Sequence, residues 1–161
     1  MSTYIKKSFK LNEKDLFNYY LTFTFRKKYQ FLAVTILFAA TFIATILAKK
    51  DTFMKNLLQI ASLIGIVSIV ILPITLKFRA KKDYSTNKLI NRTLNYTFKE
   101  DGIYIETDSG KSMVKWSELY EMRETKHHLY LYVGSNQAII LPKQYFDHIE
   151  IEEIKKKNNS K

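Results

Sequence analysis

Two runs of the chain carry no charge at all. Residues 29–48 read YQFLAVTILFAATFIATILA and residues 57–76 read LLQIASLIGIVSIVILPITL, each 20 residues long. A helix rising about 1.5 Å per residue needs about 20 apolar residues to cross a hydrocarbon core ~30 Å thick. Helices this apolar on every face become core helices only inside a large protein, and a chain of 161 residues does not supply one. The link KKDTFMKN (49–56) is too short for a domain, so the pattern predicts a transmembrane helical hairpin. About 28 polar and amphipathic residues precede the first run, and no small-residue cleavage pattern follows it. That speaks against a cleaved signal peptide.

The flanking segments have other periods. TYIKKSFKL (3–11) alternates weakly and predicts a short strand. Asn12 then serves as a helix N-cap, with Asp15 at the third helical position. The helix that follows is rich in aromatics (Phe17, Tyr19, Tyr20, Phe23, Phe25), with Leu16 and Leu21 between them. Two placements are open for it: along the headgroups, or packed on a soluble domain. Beyond the second run, RAKKDYSTNKLI continues as a polar helix or linker to about residue 92.

From there the period drops to two. TLNYTF (93–98), IYIET (103–107), KSMVKW (111–116), ELYEMRET (118–125), HLYLYV (128–133) and QAIIL (137–141) read as six strands. Turns as short as EDG, DSG and GSN forbid parallel crossovers and predict an antiparallel meander. Pro142 lacks an N–H and stops the ladder. Phe146 plugs the end of the sheet, and Asp147 with Glu150 forms a capping box. The final helix takes its apolar side from Ile149, Ile151 and Ile154, while Lys155, Lys156 and Lys157 complement its dipole. The fold class is therefore an α+β membrane protein. Residues 1–28 form a strand and amphipathic helix, 29–76 the hairpin, 77–92 a helical linker and 93–161 a small antiparallel domain closed by a C-terminal helix. That outline is pleckstrin-homology-like.

Charge sharpens this. The formal net charge is +11, a value that raises nucleic acid as a partner. Its distribution argues otherwise. Residues 1–28 hold seven basic against two acidic residues, 49–56 three against one, and 77–99 seven against one. Residues 100–161 hold nine against eleven. The excess lies beside the apolar runs, so the implied partner is a bilayer with anionic headgroups and not nucleic acid. Arg26, Lys27 and Lys28 flank one outer end, and Lys77, Arg79, Lys81 and Lys82 the other. The positive-inside rule then places both termini in the cytosol, although Lys49, Lys50 and Lys55 oppose it from the turn. The membrane-proximal cations, together with Lys143 and Tyr145, are candidate contacts for lipid or a partner.

Candidate chemistry is sparse. The chain has no cysteine, which removes disulfides and thiolate chemistry. Its four glycines are scattered, so nucleotide-binding fingerprints are excluded. The spans contain no ionisable residue for a proton or ion path. Their polar members include Thr35, Thr41, Thr45, Gln59, Ser62 and Ser68, which commonly bond to neighbouring helices or their own backbone. His127 and His128 read as a solvated turn that would need carboxylates from elsewhere to hold a metal. Ser112 and Ser117 have no histidine–acid pair in recognisable spacing. Trp116 reads as a packing residue at a strand end. No catalytic residue, cofactor or metal is assigned.

The order of strand, two spans and meander resembles the YcxB-like family of small bacterial membrane proteins. The resemblance is carried by FKEDGIYIET, VKWSELYEMRETKHHLYLYV and AIILPKQYF. It implies a membrane-anchored domain with no catalytic residues to carry over and a biochemical role that is not established. The expectation is a non-enzymatic binding or scaffold protein that engages a protein partner or a second copy of itself. The alternative is an immunity protein against a membrane-acting toxin. A hydrolase would require a pocket that brings serine, histidine and acid together.

Overall fold

The computed structural model describes residues 4–48, 52–87, 90–108 and 110–159, with only the backbone given at Lys27, Lys28 and Asn159. Lys49 and Lys50 of the hairpin turn fall outside the described residues. The fold is α+β, and its strands pair antiparallel throughout. The chain forms two compact units. One joins the residues up to Tyr19 with those from Lys82 onward, and the other is Tyr20–Lys81.

Among the described residues the first unit has seven strands in two sheets. β1 (Ile5–Lys10), β2 (Thr93–Phe98), β3 (Gly102–Thr107) and β4 (Gly110–Lys115) form one sheet in that order. β5 (Glu121–Glu124), β6 (His128–Tyr132) and β7 (Ala138–Pro142) form the other. The N-terminal strand pairs along its whole length with β2, from Ile5 opposite Phe98 to Lys10 opposite Thr93. The sheet therefore closes over more than eighty residues of intervening sequence. Ile5 and Phe9 are buried, and the Phe9 ring stacks on Tyr96 at 4.7 Å. Burial pushes the Tyr96 phenol well above its ordinary range.

The break between the sheets corrects the expected single meander. KSMVKW and ELYEMRET do not run on as neighbouring strands, because residues 116–118 make a 3-10 turn. The Lys115 N–H donates to Glu118 Oε2 at 3.0 Å, and the Leu119 N–H to the Trp116 carbonyl at 3.2 Å. Trp116 is buried, its indole N–H donating to the Lys99 carbonyl at 2.8 Å. An indole driven inward here turns the chain out of the first sheet, and β5 begins only at Glu121, paired with β6.

Pro142 is the last residue of β7, an edge strand, and lies opposite His128. The Lys143 N–H closes one further bond, to the His127 carbonyl at 2.9 Å, before a 3-10 turn over residues 143–145. Phe146 meets Phe9 and Phe98 edge-on, both at 5.9 Å, as a plug should. The capping box of α4 (His148–Asn159) is present in both directions: Glu150 N–H to Asp147 Oδ1 at 2.8 Å and Asp147 N–H to Glu150 Oε2 at 2.9 Å. Ile151 and Ile154 are buried on it, but Ile149 is 77% exposed. At about 100° per residue, a position two before Ile151 falls on the opposite side of the helix. The lysines of the last turn do more than face the dipole. Lys157 reaches Glu100 at 2.8 Å, and Lys155 reaches Glu124 at 2.5 Å.

The second unit holds α2 (Lys28–Leu47) and most of α3 (Phe53–Thr86). Both are long and apolar enough to cross a membrane, and their apolar side chains lie mostly exposed. The second helix runs straight on past the apolar run to Thr86, so the expected linker begins as helix. Span hydroxyls bond their own backbone, as from Thr35 to the Phe31 carbonyl (2.9 Å) and from Ser62 to the Leu58 carbonyl (2.7 Å). The helices approach at Gly65, where a Cβ would lie 2.6 Å from the Phe38 ring. Small residues allow this kind of approach inside a bilayer.

Candidate functional site

α1 (Glu13–Thr24) begins within the first unit, and its first turn builds one wall of an open cleft of about 450 Å³. Asn12 caps the helix, its Oδ1 accepting the Asp15 N–H at 3.0 Å while Asp15 Oδ2 accepts the Asn12 N–H at 2.8 Å. This reciprocal pair resembles a capping box and fixes where the Asp15 carboxylate points. Its other oxygen, Oδ1, lies 2.7 Å from His128 Nε2. An ionised carboxylate only accepts, so that ring nitrogen carries the hydrogen. Both side chains are almost wholly buried, at 5% and 6% exposure.

The sheet supplies the other wall. Thr125 and His128 exchange bonds across the β5–β6 turn, Thr125 N–H to the His128 carbonyl at 2.8 Å and His128 N–H to Thr125 Oγ1 at 3.1 Å. The imidazole stacks on Tyr130 at 5.6 Å. Lys126 and His127 stand exposed on the turn, Lys14 is exposed on the helix, and Lys143 leaves the end of β7. Lys143 is paired with Glu124, which also holds Lys155. Lys143 first, and then Lys155, hold the Glu124 carboxyl below its usual range, and Glu124 with Glu152 raises Lys155. Tyr19 braces α1 on the same sheet, its hydroxyl donating to the Asn136 carbonyl at 2.9 Å. Of the two placements open for the helix, its first two turns take the one against the C-terminal strands.

The cleft brings a histidine and an acid together, but no serine, threonine or cysteine lines it among the described residues. His128 Nε2 is engaged by Asp15 and meets no serine, threonine or cysteine among the described residues that line the cleft. The solvated-turn reading of the two histidines holds for His127 and fails for His128. Every residue of β6 is buried, because the strand is central in its sheet and covered on both faces. A side chain at its first position goes inward. Asp15 reads locally as a cap, and nothing in the sequence marks its partner 113 positions away.

The sequence-predicted contacts disperse. Lys143 lines the cleft. Tyr145 stacks on Phe9 at 5.1 Å and remains 38% exposed. Arg79 lies over the Tyr20 ring at 4.9 Å within the second unit. Arg26 is half-buried, while Lys77, Lys81 and Lys82 are exposed. The side chains of Lys27 and Lys28 lie outside the described residues. Lys14 and Lys126, which the sequence reading passes over, line the cleft beside Lys143.

Comparison with known proteins agrees with the resemblance at the C-terminal end. Residues 98–157, from the last position of β2 to near the end of α4, match the family model described as YcxB-like protein. No curated protein and no solved structure matches the chain.

Proposed function

We propose that the chain is a two-span membrane anchor presenting a cytosolic, pleckstrin-homology-like binding module that acts as a non-enzymatic scaffold for a protein partner. The observation that carries this reading is the full-length pairing of β1 with β2. It makes residues 11–92 an excursion from one domain and not a boundary between two. A four-stranded and a three-stranded antiparallel sheet with one C-terminal helix support the pleckstrin-homology-like part. Exposed apolar helices with basic residues at their outer ends support the anchor.

Three measurements test it. Alkaline carbonate should leave the chain in the membrane pellet, and photo-crosslinkers at the exposed Tyr120 and Tyr145 should give a discrete protein adduct in living cells. Release into the supernatant would refute the anchor. Turnover of lipid or nucleotide by the purified chain would refute the non-enzymatic role.

A further inference from the structure

We propose that the cleft between the first turn of α1, the β5–β6 turn and the end of β7 binds a phosphate-bearing anion, either a soluble phosphate or the phosphate of a lipid headgroup. The proposal gives the binding module above a ligand class and rests on that non-enzymatic reading. Three lysines line the cleft (Lys14, Lys126 and Lys143), of which Lys143 is paired with Glu124, and among the described residues one carboxylate, Asp15, lines it. Both oxygens of that carboxylate are engaged, one by His128 Nε2 at 2.7 Å and one by the Asn12 N–H at 2.8 Å. Each Asp15 oxygen is thus already committed to a protein donor, and the remaining lining is rich in donors: ammonium groups, the His127 imidazole, and the Asn18 and Gln144 amides.

The other ligand classes fit less well. A divalent cation is held by several carboxylate, imidazole or thiolate ligands together, and no group of three or more such side chains comes together among the described residues. Single-stranded nucleic acid binds by stacking on aromatic rings, and among the described residues no phenylalanine, tyrosine or tryptophan lines the cleft. Apolar ligands sit in mainly apolar walls, whereas among the described residues Pro142 is the one apolar residue in the lining. The α1 N-terminus does not account for the site either, since Asn12 and Asp15 already close it. What remains is a wet, positive concavity with flexible cations at its rim, a form suited to an anion carrying several oxygens.

The test uses the full chain in phosphatidylcholine nanodiscs, read by the imidazole resonances of its three histidines. Inorganic phosphate is titrated against chloride at matched ionic strength. In a second arm without added phosphate, phosphatidylglycerol replaces phosphatidylcholine stepwise up to equal parts, which presents headgroup phosphate without the choline cation. Saturable movement of the His127 signal in either arm supports the site, and the arm that produces it identifies the source. Replacing Lys14 or Lys126 by Gln should weaken binding about fivefold each, the scale of one lysine at an anionic surface. Both residues are exposed, so these variants should fold normally. Imidazoles that stay fixed in both arms, or move equally with chloride, overturn the site and leave the anchored module standing. Unchanged affinity in both variants overturns it too. Hydrolysis of a phosphate ester by the same preparation would sink the non-enzymatic reading but not the binding.

Discussion

At the scale of single residues, a buried pair and an exposed one in the first unit respond to substitution with different magnitudes. Removing one partner of a buried pair costs about 3 kcal/mol or more because the other charge is stranded. His128→Phe keeps a ring against Tyr130 but leaves Asp15 Oδ1 without its donor. Thermal unfolding of the full chain in detergent should show that loss, and Asp15→Asn added to it should recover part. No recovery would mean the cost lies in packing. Glu124, in contrast, is 39% exposed and its pairs are screened, so Glu124→Gln should cost about 1 kcal/mol or less. Lys143 and Lys155 depress its folded pKa. Its contribution is thus complete above the ordinary carboxylate range and disappears as pH falls through the lowered value. The gap in melting temperature between wild type and Glu124→Gln should narrow on acidification; a gap that widens would contradict this account.

At the scale of elements, β1 contributes through Phe9 as much as through its ladder. The ring stacks on Tyr96 and Tyr145 and touches Phe146 edge-on. Phe9→Ala should therefore destabilise the first unit by about 3–5 kcal/mol, measured by the near-ultraviolet dichroism of its melting. In the second unit, Gly65→Ala sets a methyl against the Phe38 ring and should lower the resistance of the hairpin to denaturing detergent. Unchanged resistance would mean that the ring moves aside freely. These elements also mark what the sequence discloses. Strand β2, the Asn12 and Asp147 caps and the two apolar helices depend on neighbours within about four positions, and all are legible from spacing. The split into two sheets depends on which way Trp116 turns, and the cleft depends on Asp15 meeting His128. Both are long-range contacts that leave no periodic trace. Ile149 shows the same limit in miniature: three isoleucines close together suggest a face, but only the 3.6-residue period decides which two share it.

At the scale of the whole molecule, strand pairing constrains topology. Lys10 and Thr93 are register partners, and backbone hydrogen bonds cannot form through a bilayer. If the apolar helices cross the membrane, they must cross as a pair and return the chain to the face it left. This is stronger than the charge bias, which the lysines of the turn oppose. The absence of cysteine makes the test clean. Single cysteines at Ser8, Ser112 and Thr52, each exposed, can be labelled with a membrane-impermeant maleimide in intact and in permeabilised cells. Ser8→Cys and Ser112→Cys should behave alike and react only after permeabilisation, while Thr52→Cys should react from outside. Opposite behaviour at Ser8 and Ser112 would mean that β1 and the C-terminal strands lie on different faces, a result incompatible with the six-residue register that joins them.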